Sequence, residues 1–244
     1  MKTFTAAEVA ATTPEQLAAL RAGPPAVYAA WIKKAADMGL TEAQAIYGQM
    51  LLDGAGIGRD PVQALSWFKR AAHADHLMSI NMVGRCYENG WGVPRDEVVA
   101  AYWFRLAADR GLDWGMYNHA NLLATGRGVA QDRRQALALY ARAAQLGHAK
   151  SMNLLARHLE DGLETARDPQ AALDWYRRSA EAGDFRGQAN YASILLQEGR
   201  LDEALQWLRL ALAHGSPAFM AHIVPELAAS PHPQVRELVA HPAG

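Results

Sequence analysis

The sequence predicts an all-α fold: a right-handed α-α superhelix (solenoid) of antiparallel helix pairs, about five repeats of 36 residues with capping helices at both ends. Three observations carry this. Trp31, Trp67, Trp103, Leu139 and Trp175 follow one another at a step of 36. Two glycine columns keep the same step: Gly39, Gly111, Gly147 and Gly183 with Asp75 in the remaining slot, and Gly54, Gly90, Gly126 and Gly162. Asp60, Asp96, Asp132 and Asp168 form a further column. Such self-similarity marks a stacked array, and an array accommodates 244 residues without a second globular core. Alanine and leucine abound while β-branched residues are few, which favours helix.

Taken in order, residues 1–24 read as a capping segment. Thr13-Pro14-Glu15-Gln16 opens a helix that stops at Gly23-Pro24-Pro25. The array then spans 25–216, beginning with a lone helix B over Ala26 to Met38 (a half repeat, about 25–40). The units that follow are 43–76, 79–111, 115–148, 151–183 and 187–215. In the unit 79–111, helix A runs to about Asn89 and ends at Gly90, a residue that takes the left-handed conformation at little cost. The loop Gly-Trp-Gly-Val-Pro-Arg leads to Asp96, whose carboxylate can cap the next helix and favours its positive end. Asp60-Pro61 and Asp168-Pro169 give the N-cap then N1 order of a helix start.

Within helix B, Ala100, Trp103, Phe104, Ala107 and Ala108 form a stripe that one helix cannot bury alone, so neighbouring units must cover it. The small column Gly48, Gly84, Ala120, Ala156 and Ala192 in helix A faces Ala64, Ala100, Ala136, Ala172 and Ala204 in helix B and lets backbones approach. Tryptophan is expected to fill the space between units. Trp207 and Gly215 lie 32 residues beyond Trp175 and Gly183, so the last unit has a loop shortened by about four residues. Beyond it, 217–244 reads as two capping helices, around Phe219 to Ala228 and Pro233 to Ala240, and a frayed end.

The segments Leu-Leu-Asp-Gly-Ala-Gly-Ile, Tyr-Glu-Asn-Gly-Trp-Gly-Val and Leu-Ala-Thr-Gly-Arg-Gly-Val recur in register, each followed by Asp, Ala, Trp or Leu with Phe or Tyr, and Ala-Ala. The chain thereby resembles the Sel-one-like repeat family, relatives of the tetratricopeptide repeat, over roughly residues 25 to 216. It departs from that pattern at Asp75, Leu139 and Glu164 and in the shortened last loop.

Lys and Arg total 24 against 25 for Asp and Glu, a net charge of -1 that sets up no positive field for nucleic acid or anionic membrane. Cys86 is the only cysteine, so neither an intramolecular disulfide nor a thiolate zinc site can form, and a reducing compartment is expected. An acidic residue interrupts the N-terminal stretch where a signal peptide would be apolar, and no later window approaches a membrane span. A soluble, cytoplasmic protein is the expectation.

Catalytic, cofactor and metal sites are not expected. The glycines at 54 to 58 resemble a phosphate cradle, but they follow a helix rather than a strand and recur through the array. His73 and His76 at i, i+3 lack a third ligand of matching reach. Cys86 sits mid-helix in an apolar stripe, and Glu160 and Asp161 point apart on theirs.

In a superhelix of this kind the A helices line the concave side. With Tyr47-Gly48, Val83-Gly84, His119-Ala120, Leu155-Ala156 and Tyr191-Ala192 in the core, the groove-facing column is Gln49, Arg85, Asn121, Arg157 and Ser193. One turn earlier come Ala45, Asn81, Tyr117, Asn153 and Ala189. The middle of the array thus presents Asn81 with Arg85, Tyr117 with Asn121, and Asn153 with Arg157. Asparagine grips a peptide backbone through one donor and one acceptor, and arginine holds a carboxylate by a two-pronged bond. By position, the arrangement resembles the peptide clamps of tetratricopeptide proteins. Trp114 and Trp91, outside the tryptophan column, are candidate anchors. Arg85 and Arg157 also stand one turn from Glu88 and Glu160, where ordinary surface pairs can form. The function expected is a non-catalytic scaffold or adaptor that binds an extended peptide or protein surface in its groove. The alternative is an accessory subunit of an enzyme, transport or secretion component, bound through the convex face or C-terminal cap.

Overall fold

Helix starts and stops follow from local chemistry throughout the computed structural model, which describes residues 3–240. The expected frayed end, 241–244, lies outside them. Among the described residues there are fifteen α-helices and no strand. They form two compact units, 3–132 and 133–240, the boundary falling inside the third repeat.

The first unit opens with α1 (Ala6–Ala10) and α2 (Pro14–Ala22), each begun by a capping box: Thr5 with Glu8, and Thr13 with Gln16. The lone helix α3 (Pro25–Asp37) follows. Two complete pairs come next, α4 (Thr41–Asp53) with α5 (Pro61–His73) and α6 (Leu77–Asn89) with α7 (Glu97–Asp109), then α8 (Asp113–Thr125). From α3 to α8 each helix packs on the next.

The loop between helices A and B is closed at both ends. Gly54 and Gly90 terminate α4 and α6 in the left-handed region, φ 76° and 73°. The N–H groups of Gly54 and Ala55 both donate to Met50 O, at 2.8 and 3.0 Å, which satisfies a carbonyl the helix leaves open. At the far end Asp60 N–H donates to Leu51 O at 2.8 Å and Asp96 N–H to Tyr87 O at 2.9 Å. Their carboxylates accept from the amides of Gln63 and of Val98 and Val99. A second loop glycine is demanded by sterics. A Cβ on Gly92 would collide with the carbonyl of Pro61 in the first turn of α5, and one on Gly128 with that of Glu97 in α7.

The second unit continues with α9 (Arg133–Gln145), α10 (Ala149–Asp161), α11 (Pro169–Glu181), α12 (Phe185–Gln197) and α13 (Leu201–His214). It closes with α14 (Pro217–Ala228) and α15 (Pro233–Ala240). From α9 to α13 consecutive helices pack again, while α15 returns to α13. The departures from the repeat pattern keep its backbone: Asp75 and Glu164, where glycine is expected, adopt φ 59° and 57°. Non-glycine residues take this region at a cost of about 1 to 2 kcal/mol.

Close approach of helices A and B works as the small column predicts. A Cβ on Gly48 would stand 2.8 Å from the Phe68 ring and one on Gly84 2.7 Å from Phe104. The tryptophan column is less uniform than expected. Trp31, Trp67 and Leu139 are buried, but Trp103 and Trp175 are only half-buried. Tyr47 meets the Trp67 ring edge-on at 5.4 Å, whereas the residue one repeat on from Tyr47 is Val83, which has no ring to offer Trp103.

One interior residue is chemically out of place. His119 on α8 occupies a core position, 6% exposed, and its Nδ1 has no hydrogen-bond partner. Burial, with Arg105 adding to it and Asp109 opposing, holds its pKa below the ordinary 6.5.

Three outcomes follow for stability, the first two measurable by urea denaturation and the third by thermal melting across pH. Gly92→Ala should cost about 3 kcal/mol, from the left-handed φ and the collision together. Gly39→Ala, with φ 88° and open space around it, should cost only about 1 kcal/mol; equal costs would refute the steric argument. Trp67→Ala should lose ~3 to 5 kcal/mol and Trp103→Ala clearly less, since its ring already meets solvent. For His119 the folded pKa is depressed, so its stability contribution is complete above pH 6.5 and is lost as pH falls through the folded value. His119→Leu should flatten the melting temperature over the acidic side of that range.

Candidate functional site

The A helices of the first two complete repeats carry short polar stripes on one face: Gln49 and Asp53 with Leu52 on α4, and Arg85 with Met82 on α6. Spacings of three and four residues put each set on one side of its helix. The loops that end these helices add Arg59 and Trp91. Together the seven residues line a depression of about 360 Å³. Leu52 and Met82 are 6% and 7% exposed and form an apolar floor, while Arg59, Asp53 and Arg85 are exposed.

Each polar group is positioned by a specific contact. The Arg85 guanidinium lies over the Trp91 ring at 5.0 Å, and its Nη1 approaches Met82 Sδ at 3.7 Å. Arg59 donates through Nε to Leu52 O at 3.0 Å, capping the last turn of α4. Gln49 donates through Nε2 to Asp53 Oδ2 at 2.7 Å. The expected Arg85 pair with Glu88 is not formed. Glu88 is bound by Arg127, which also reaches Glu97, at 3.1 and 3.3 Å.

The remaining expected residues fall elsewhere. Asn81 and Asn153 are not on an open stripe; they are 2% and 3% exposed. Asn81 Oδ1 accepts from Asn118 Nδ2 and Asn153 Oδ1 from Asn190 Nδ2, each at 2.8 Å, so both tie one repeat to the next. The stripe turns inward there because A helices of successive repeats abut along it, α6 on α8 and α10 on α12. On α8, Trp114 and Tyr117 are half-buried and meet edge-on at 6.1 Å, and Asn121 is half-buried beside them. Arg157 on α10 is exposed, and Glu160 is taken by the Tyr176 hydroxyl at 2.7 Å.

Arg59, Leu52, Asp53 and Met82 were not singled out by the groove columns. A signal for Arg59 exists: Arg59, Arg95, Gln131 and Arg167 recur at a step of 36. Gln131 and Arg167 likewise donate to the carbonyls of Ala124 and Glu160 at a helix A end. A larger depression of about 560 Å³ lies among α1, α2 and α3, but Gln16 serves its capping box and Thr12 accepts from Trp31 Nε1.

Burial pushes the Cys86 thiol up to about 11, so its nucleophilic thiolate is scarce at neutral pH. Among the described residues no group of three or more His, Cys, Asp or Glu is placed to hold a metal ion. No helix there is long and apolar enough to cross a membrane.

Stacked helix pairs and glycine-closed loops define a helical-repeat protein. The Sel1 repeat matches residues 29–40, 41–76, 77–112, 115–148, 149–184 and 186–216, and the chain belongs to that family. Sel1 repeat proteins are typically non-catalytic and generally mediate protein–protein interactions. A Sel1 repeat protein from Oxalobacter formigenes is 26% identical, with a TM-score of 0.78 over 93% of this chain and 96% of that one. The protective antigen c5321 of uropathogenic Escherichia coli, with an SLR fold, is 28% identical and has a TM-score of 0.68; the match covers 93% of this chain and 51% of that one. The immunity protein Pa5087 from Pseudomonas aeruginosa shares the fold at 16% identity, TM-score 0.57, over 80% of this chain and 74% of that one. No curated protein matches the chain.

Proposed function

We propose that the chain is a non-catalytic scaffold that holds an extended peptide or protein segment against the groove face of its A helices. In the first unit the working site is the recess between α4 and α6. The observation that carries this is the Arg85 guanidinium stacked on Trp91. A guanidinium held flat on an indole has lost much of its freedom before binding, while the in-plane donors not turned to Met82 Sδ remain available. Glu88, the acid one turn away that would have neutralised it, is engaged by Arg127 instead. Trp114 with Tyr117, Asn121, and Arg157 extend the proposed contact surface within their own units; Asn81 and Asn153 support it from beneath.

One observation favours a second reading, an accessory subunit bound through its C-terminal cap. On α14, Phe219, Met220, Ile223 and Val224 are only half-buried, and Leu227 alone is buried.

The two separate by panning a random peptide display library on the immobilised full chain. Peptides selected on the parent should bind an Arg85→Ala, Trp91→Ala variant at least about tenfold more weakly and bind an Ile223→Ser, Val224→Ser variant as well as the parent. The reverse pattern moves the site to α14, and an absence of enriched sequences rejects peptide binding.

A further inference from the structure

Two arginines face the recess between α4 and α6, and neither is ion-paired among the described residues. Arg95, Arg110 and Arg127 in the same unit each reach a carboxylate. Arg59 and Arg85 are held instead by a carbonyl and by a ring, although Asp53 lines the same recess. Arg59, anchored through Nε, keeps its terminal N–H donors for another acceptor, and Arg85, with Nη1 turned to Met82 Sδ, keeps those of Nη2. The recess therefore carries two fixed positive charges against one carboxylate, and that carboxylate already accepts from Gln49. Its net excess is one positive charge.

We infer that this recess binds a single carboxylate carried beside an apolar residue in an extended peptide segment; the inference rests on the peptide-binding reading and specifies its ligand. The carboxylate lies between Arg59 and Arg85, where charge-assisted hydrogen bonds are strongest. The apolar neighbour covers the floor of Leu52 and Met82 and the edge of Trp91. Backbone N–H groups of the segment meet the remaining acceptors of Asp53 and Gln49. One negative charge neutralises the recess, whereas a phosphate dianion would overshoot and face Asp53 as well. A volume of about 360 Å³ is at the small end of ligand pockets and fits one or two side chains rather than a folded surface.

The carboxylate can come from a chain terminus or from an acidic side chain, and NMR on the full chain separates them. N-acetyl-Leu-Leu acid, its C-terminal amide and N-acetyl-Glu-Leu amide are titrated separately, following the indole N–H of Trp91 and the Nε–H signals of Arg59 and Arg85. At least one acid-bearing peptide should bind roughly tenfold or more tightly than the Leu-Leu amide, and which one does so identifies the source. Arg85→Gln and Arg59→Gln should each remove that preference. Arg85→Lys should keep only part of it, since an ammonium lacks the planar fork. These sites are exposed, and an unchanged amide spectrum elsewhere certifies that each variant is folded. Equal binding of acid and amide at the same signals overturns the carboxylate assignment and leaves the peptide reading standing. Inorganic phosphate binding more tightly than either acid also overturns it. No shift at these signals up to about 10 mM peptide, the range of the weakest specific contacts, overturns both.

Discussion

The repeats of the first unit stack through one steric constraint: the loop between helices A and B lies against the first turn of the preceding helix B with no room for a side chain. Gly56 meets Pro25, Gly92 meets Pro61 and Gly128 meets Glu97 in the same way. Because the contact is backbone on backbone, it fixes how far one repeat advances beyond the last. The end of helix A is then set at a constant height, and the following aspartate N–H closes the loop on a helix A carbonyl. Successive A helices come to lie side by side, and the recess between α4 and α6 is a product of that alignment. Asparagine ties from one repeat to the next add hydrogen bonds in an interior where an unpaired amide would be costly.

The repeat was legible because its defining residues act locally. A left-handed helix end needs glycine, a free helix start needs an aspartate, and both needs recur wherever the backbone does. Gly54, Gly90, Gly126 and Gly162 occupy the left-handed helix ends their column implied. Asp75 and Glu164 show the limit of that logic, since the surrounding fold holds a non-glycine residue in the conformation its column requires.

The site was less legible, for a geometric reason. Helical periodicity tells which side of a helix a residue faces, but not whether a neighbouring repeat covers that side. Asn81 and Arg85 share a stripe one turn apart, yet the first is buried against Asn118 and the second is open. The stripe crosses from contact to solvent within that turn. Likewise Arg59 was hidden because, like Arg167, it serves the fold through Nε, and its outward donors gain meaning only when Arg85 and Trp91 are seen beside it. The indole in the loop stands out in the sequence as a large aromatic between two glycines, and it lies partly buried against the core.

That last position explains why side chains can vary at the loop edge. The two flanking glycines are fixed by the left-handed turn and by the close approach, but the residue between them meets neither constraint. In successive repeats it is Ala55, Trp91, Arg127 and, with Glu164 in place of the second glycine, Leu163. Arg127 is spent on Glu88 and Glu97, joining its loop to the repeat before it. Trp91 supports Arg85, and the same ion pairs that staple Arg127 withdraw Glu88 from Arg85. A structural contact at one loop thus keeps a guanidinium available in the repeat before it, so the recess depends on two repeats beyond the one that forms its first wall.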